Sequence, residues 1–214
     1  MKKIKKYLNN IRKPIKIDKK NKIINTILIF IFGVLLGIFS KWLDNLSIDN
    51  TIWWQNIIDI LDLRNIFSMF GIWLFIGICI SVYSKTPLRA SLNVFLFFIC
   101  MIVSYHLYTI LFSGFNPLNY MLIWYLITLI SPILAYICWY SKSENKLSLI
   151  ISSVILSIMF ISSFNIGIWY FDIKSIIDVL IFISSILVLH VNIKNTVYSL
   201  LIGFFLLFII SIIF

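Results

Sequence analysis

Polar and ionisable side chains set inside long apolar runs are where this chain could do chemistry, because each is costly to bury in hydrocarbon. They are few. His106 sits in Ser104-Tyr105-His106-Leu107-Tyr108-Thr109, a polar island in apolar sequence. Asp178 lies near the start of another apolar run, four residues after Lys174, a spacing that permits a helical ion pair. Asn165 closes a third run, and Asn119 and Tyr120 open a fourth. If these runs are helices of one bundle, Tyr105, His106, Tyr108, Asn165 and Asp178 fall at similar depth and can line a single polar ligand pocket. Each also has a plainer role. The tyrosines suit an aromatic belt, His106 a neutral ring bonded to a serine or a carbonyl, and Asp178 a hydrated or Lys174-paired carboxylate.

No catalytic residue is expected. The chain has no H-E-x-x-H, no G-x-S-x-G and no Walker loop, and its one glutamate is Glu144. His106 with Asp178 is the single acid–base pair that an enzyme acting on lipid carriers could use. No lysine falls in 196–214, which excludes a retinal Schiff base. Cys79, Cys100 and Cys138 lie in apolar runs, form no C-x-x-C pair, and read as packing residues. Neither a cofactor nor a metal is implied.

The elements that would hold these residues follow from composition. Of 214 residues 61% are hydrophobic and 12% charged, far from the balance of soluble domains. A transmembrane helix needs about 20 mostly apolar residues. Seven runs qualify: 24–43, 66–83, 90–113, 118–140, 147–166, 175–191 and 196–214. The expected fold is all-α, a polytopic membrane bundle of seven transmembrane helices forming one domain over 23–214. Residues 1–22 are a separate basic tail.

That tail holds ten of the 18 Lys and Arg residues. With alternating loops, fifteen basic residues fall on the tail's side and three, Lys41, Arg64 and Lys174, on the other. The bias puts the N-terminus in the cytoplasm and the C-terminus outside, in a multi-pass protein of the cell membrane. Ile4, Tyr7, Leu8, Ile11 and Ile15 recur at helical spacing among the lysines, which also suits an interfacial helix on anionic lipid, limited by Pro14. Nucleic acid is not an expected partner, because the tail adjoins a hydrophobic span.

The outer loop over 44–65 reads as an interfacial amphipathic helix. Gln55, Asn56, Asp59 and Asp62 share one face and Trp53, Trp54, Ile57, Ile60 and Leu61 the other, with Asn50 or Thr51 as its cap. It can rest on the outer leaflet or act as a lid. Gly33 and Gly37 form a G-x-x-x-G, suited to packing within the bundle or to a homodimer seam. Ser131-Pro132 marks a kink in the fourth run. Two functions fit: a substrate-binding or transport-type membrane subunit with an outward-facing polar pocket, or a non-catalytic accessory, assembly or immunity protein acting through partner helices.

Overall fold

The computed structural model describes residues 2–49, 51–166 and 170–213. The chain is 79% helical. Its elements run α1 (Lys2–Ile11), α2 (Lys19–Asn45), α3 (Trp53–Ile60), α4 (Leu63–Ser68), α5 (Phe70–Tyr83), α6 (Pro87–Phe112), α7 (Leu118–Trp139), α8 (Lys146–Ser163), β1 (Phe164–Ile166), β2 (Phe171–Ile173), α9 (Ile176–Leu189) and α10 (Ile193–Ile213). α6 lies between α2 and α7, α8 packs on α9 and α10, and α5 joins the two groups.

Four helices, α2, α6, α7 and α8, are long and apolar enough to cross a membrane. Large apolar side chains on their outer faces, such as Leu28, Leu35, Leu92, Leu126 and Ile133, are exposed. Such a surface is unstable in water and natural in hydrocarbon. The architecture is membrane-like.

The other three expected spans are shorter apolar helices. α5 and α9 have 14 residues each, or about 21 Å at 1.5 Å per residue, against a hydrocarbon core of about 30 Å. The run 66–83 is not one helix. It breaks at Met69, whose backbone is extended. The break is held because Trp73 Nε1 donates to Phe67 O at 3.0 Å and Ser68 Oγ to Asn65 O at 2.8 Å. The described apolar stretch of α10 is Ile193–Ile209, and Phe214, the expected end of that span, lies outside the described residues.

The run 147–166 also ends early. α8 stops at Ser163 and the chain enters an antiparallel hairpin pairing Phe164 with Ile173 and Asn165 with Asp172. Phe164 stacks on Phe171 at 5.2 Å. Aromatic and β-branched residues at alternate positions favour this conformation over a further helical turn. Apart from this one short hairpin the described fold is all-helical.

Before the outer helix, Asn50 lies outside the described residues, and Thr51 does not cap. Asp49 Oδ1 accepts from both the Thr51 amide and its hydroxyl, and α3 begins after Ile52. These bonds hold the exposed Asp49 carboxyl below its usual range. Their support is present at neutral pH and lost as the pH falls through that lowered value. Trp53 and Ile60 of α3 are about three-quarters exposed, whereas Gln55 and Ile58 are buried. The apolar face therefore looks outward and part of the polar face is turned to the protein.

Gly33 and Gly37 face α6. A Cβ on Gly33 would stand 2.6 Å from Phe97 O, and one on Gly37 would overlap Ser104 Oγ and Met101 O. A homodimer seam through these glycines would have to displace α6. In α7 the ring of Pro132 cannot donate to Thr128 O, and Ser131 Oγ does so instead at 2.8 Å.

Interhelical serines vary in their worth. Ser81 Oγ donates to Ala135 O at 2.7 Å, tying α5 to α7 in the core. Ser148 Oγ is buried without a partner among the described residues. Ser81→Ala is therefore expected to cost about 1–2 kcal/mol, and Ser148→Ala nearly nothing. Reversible unfolding in mixed detergent micelles compares them, and equal costs would contradict this packing.

Candidate functional site

Tyr105 and His106 are neighbours on α6 but enter different surroundings. The Tyr105 hydroxyl donates to Asp44 Oδ2 at 2.6 Å, bridging α6 to the end of α2. His106 is buried. Its Nε2 lies 2.8 Å from Asn116 Oδ1 and its Nδ1 lies 3.1 Å from the Tyr125 hydroxyl. The amide oxygen can only accept, so Nε2 carries the proton and Nδ1 accepts from Tyr125. Both ring nitrogens are thus occupied, by side chains rather than by the serine or carbonyl expected. His106 ties α6 to the following loop and to α7.

Tyr108 packs on Phe112, with ring centroids 4.5 Å apart. Asn165 is not at a helix end but in β1, exposed and opposite Asp172. Asp178 is buried at the start of α9, where its amide donates to Ser175 Oγ and that hydroxyl donates back to Asp178 Oδ2, both at 3.1 Å. This is a capping arrangement that suits an acid in a first helical turn. Lys174 does not form the expected ion pair with it. Its Nζ donates to Ile161 O at 2.9 Å and Ser162 O at 3.0 Å, satisfying the last carbonyls of α8. The five expected residues therefore share no direct contact beyond the adjacency of Tyr105 and His106: three are on α6, one is in β1 and one opens α9.

Tyr105 lines a cavity. A space of about 70 Å³ lies between α2, α4, α5, α6 and α7, walled by Ser40, Asp44, Trp73, Tyr105, Tyr120 and Trp124. Its roof is Phe67 and Ser68 of α4, not the α3 segment anticipated as a lid. Phe67 is fixed edge-on against both Phe39 and Trp73. Above it is a wider polar vestibule of about 360 Å³ that also contains Asp44 and Ser68 and adds Asp59, Asp62, Arg64 and Asn65. Asp62 opens α4 in the left-handed conformation, φ 49°, which an aspartate tolerates better than most residues. Asn65 Nδ2 holds its carboxylate at 3.0 Å.

The vestibule carries three carboxylates and one guanidinium. Asp44 belongs to both spaces. Lys41 Nζ lies 3.8 Å from Asp44 Oδ2, and also over the rings of Tyr105 at 5.4 Å and Phe115 at 5.8 Å. The ammonium is thus held between the carboxylate and aromatic faces and offsets part of its charge. The cavity lining brings together a carboxylate, phenols and indole rings, groups that attract a cation. The sequence signal for this site is modest: Lys41 and Asp44 at i,i+3 where the first apolar run ends, with Trp73 and Trp124 about two turns into two others.

No family model matches this sequence, and neither a curated protein nor a solved structure is found to match it.

Proposed function

We propose that the chain is a substrate-binding or transport-type subunit of the cell membrane, whose site is the outward-facing cavity at Asp44 and whose ligand carries a small positively charged group. The observation that carries this is the position of Asp44, a wall of both the vestibule and the smaller cavity. A carboxylate placed there draws a cation from the acidic vestibule and delivers it to aromatic faces. Tyr105 orients the carboxylate. His106 braces α6 against α7 through Tyr125, Tyr108 packs on Phe112 within α6, Asn165 lies in the hairpin after α8, and Asp178 caps the start of α9.

The topology of this reading has seven crossings, with the N-terminus in the cytoplasm and the C-terminus outside. α4 with α5, α9, and α10 supply the three shorter passages. The tail lysines then face anionic lipid, and the lipid-exposed faces of α2 and α10 are available to a partner subunit or a second copy.

Tetramethylammonium tests the site. With the protein in nanodiscs at constant ionic strength, tryptophan fluorescence is expected to change saturably as it is added, because Trp73 and Trp124 line the cavity. Asp44→Asn should weaken binding at least tenfold, equivalent to about 1.4 kcal/mol, and Tyr105→Phe by a smaller factor. Equal responses from the wild type and Asp44→Asn would rule out the site.

A further inference from the structure

We infer that the ligand is an amphiphile, with an ammonium head in the outer cavity and a single hydrocarbon chain in the apolar chamber beneath it. This rests on the reading of the Asp44 cavity as a cation site.

The chamber has a volume of about 310 Å³ and lies between α5, α6, α7 and α8. Its surface is almost wholly apolar, with Phe98, Ile127, Leu134, Val154 and Ile158 among its walls. It exists because of local sequence. Gly77 and Ala135 present no bulk to it, and α8 leans on α9 and α10 instead of following α7 closely. Three residues, Trp73, Ile102 and Trp124, line both this chamber and the outer cavity. The vestibule, the outer cavity and the chamber therefore form a series, charged at the top, aromatic in the middle and apolar below. That is the polarity profile of a cationic amphiphile.

One further observation bears on the occupant. Leu134 and Ile137 of α7 and Ile150, Val154 and Ile158 of α8 line the chamber and are also exposed on the outer surface. The gap between α7 and α8 is thus a lateral opening through which a chain can enter from the bilayer. The Thr128 hydroxyl, fully buried in the chamber wall, has no hydrogen-bond partner among the described residues. A hydrocarbon chain would leave that hydroxyl unpaired, so it does not bear on the occupant.

The test uses the full chain in nanodiscs of zwitterionic phospholipid. Dodecyltrimethylammonium with bromine at the chain end is titrated in, and tryptophan fluorescence is read. Quenching is expected to saturate near one amphiphile per chain, at a bilayer mole fraction at least tenfold below that needed with the matching brominated alkyl sulfate. Asp44→Asn is expected to remove the preference for the ammonium head. Ala135→Leu narrows the chamber from the core side, and Val154→Phe does so from the half-exposed side, where folding is least at risk. Either should raise the half-saturating mole fraction at least fivefold. Quenching that only tracks mole fraction, or that is indifferent to both chamber variants, overturns the inference. So does saturable binding by the chain with no preference between ammonium and sulfate, which would mark a general acyl site or a helix-docking groove. Wild-type protein that binds tetramethylammonium but shows no saturable chain binding loses the chamber and keeps the outer site. Protein that binds neither loses both.

Discussion

Gly37→Val is expected to leave little folded protein. A Cβ at this position would overlap Met101 O and Ser104 Oγ of α6. The first is backbone and cannot rotate away. Ser104 is itself held, donating to Val34 O at 3.2 Å and Met101 O at 2.9 Å. The two helices would have to part along a seam that Gly33 also closes. Overpacking that a side chain can relieve costs about 1–3 kcal/mol, and backbone overlap exceeds that range. Gly33, Gly37 and Gly77 should therefore rank. Gly33→Ala meets a carbonyl at 2.6 Å and should be severe, whereas Gly77→Ala meets only the edge of the Phe98 ring at 3.2 Å and should be mild. Yield of monodisperse protein by fluorescence-detected size exclusion, followed by thermal inactivation, gives the order. A Gly37→Val protein that melts like the wild type would mean that α2 does not lie on α6. Because the bond from Tyr105 to Asp44 spans the same pair of helices, the cavity would lose its carboxylate wall as well.

The parts of this molecule that can be read from sequence are those governed by local composition. Twenty-residue apolar runs became α2, α6, α7 and α8 because nothing in them offers the backbone another partner. The break at Met69 and the hairpin after Ser163 occur inside equally apolar sequence. Their causes are contacts from elsewhere: Trp73 reaching back to Phe67 O, and Lys174 reaching the end of α8. The site shows the same division. Tyr105 stands out as a polar residue inside an apolar run. Asp44 reads as an ordinary loop acid until the fold brings it to a tyrosine 61 residues away. His106 finds Asn116 and Tyr125 across a connection whose geometry periodicity does not encode. Spacing misled at Lys174 and Asp178. Four residues permit an ion pair, but each group had a closer backbone debt to satisfy at the end or the start of a helix.

That preference of cations for helix ends recurs at the opposite pole of the bundle, where α5, α7 and α9 terminate. Lys142 Nζ donates to Val188 O at 2.8 Å in the last turn of α9. Arg89 differs, since Lys22 O and Thr26 Oγ1, which it reaches, lie in the first turns of α2, so it ties α6 to α2. Lys142 is thus a structural clamp, since the C-termini of helices carry unpaired carbonyls and partial negative charge.

Arg12→Gln should show how much of the tail is architecture. Arg12 Nη1 donates to Trp139 O at 2.6 Å and Nη2 to Val82 O at 2.9 Å, so one planar fork joins the last turns of α7 and α5. Its Cζ stands 4.3 Å over the Trp139 ring, and that indole donates to Ser84 O at 2.7 Å. Ser143 Oγ donates to Ile11 O, the Ile15 amide donates to Lys85 O at 2.9 Å, and Ile11 is buried against Ala90, Trp139 and Tyr140. Of the apolar stripe expected to lie on lipid, Ile11 thus packs on protein, Tyr7 and Ile15 are exposed, and the Ile4 side chain lies outside the described residues. Burial pushes the Arg12 guanidinium below its ordinary pKa, but arginine stays charged, and both bonds remain charge-assisted. Losing them with the ring contact is expected to cost about 3 kcal/mol. Lysine at this position keeps the charge without the fork and should recover at most half. The readout that separates a clamp from a mere topology charge is limited trypsinolysis after Lys16, since Pro14 protects Lys13, in sealed vesicles of known orientation. Arg12→Gln should be cut at least tenfold faster than the wild type, while nine other tail cations keep the orientation unchanged. Lys142, held below its ordinary pKa by burial and then by the charge of Arg12, should move upward in the same variant. Equal cleavage rates would mean that α1 is not docked on the bundle and that the tail serves orientation alone.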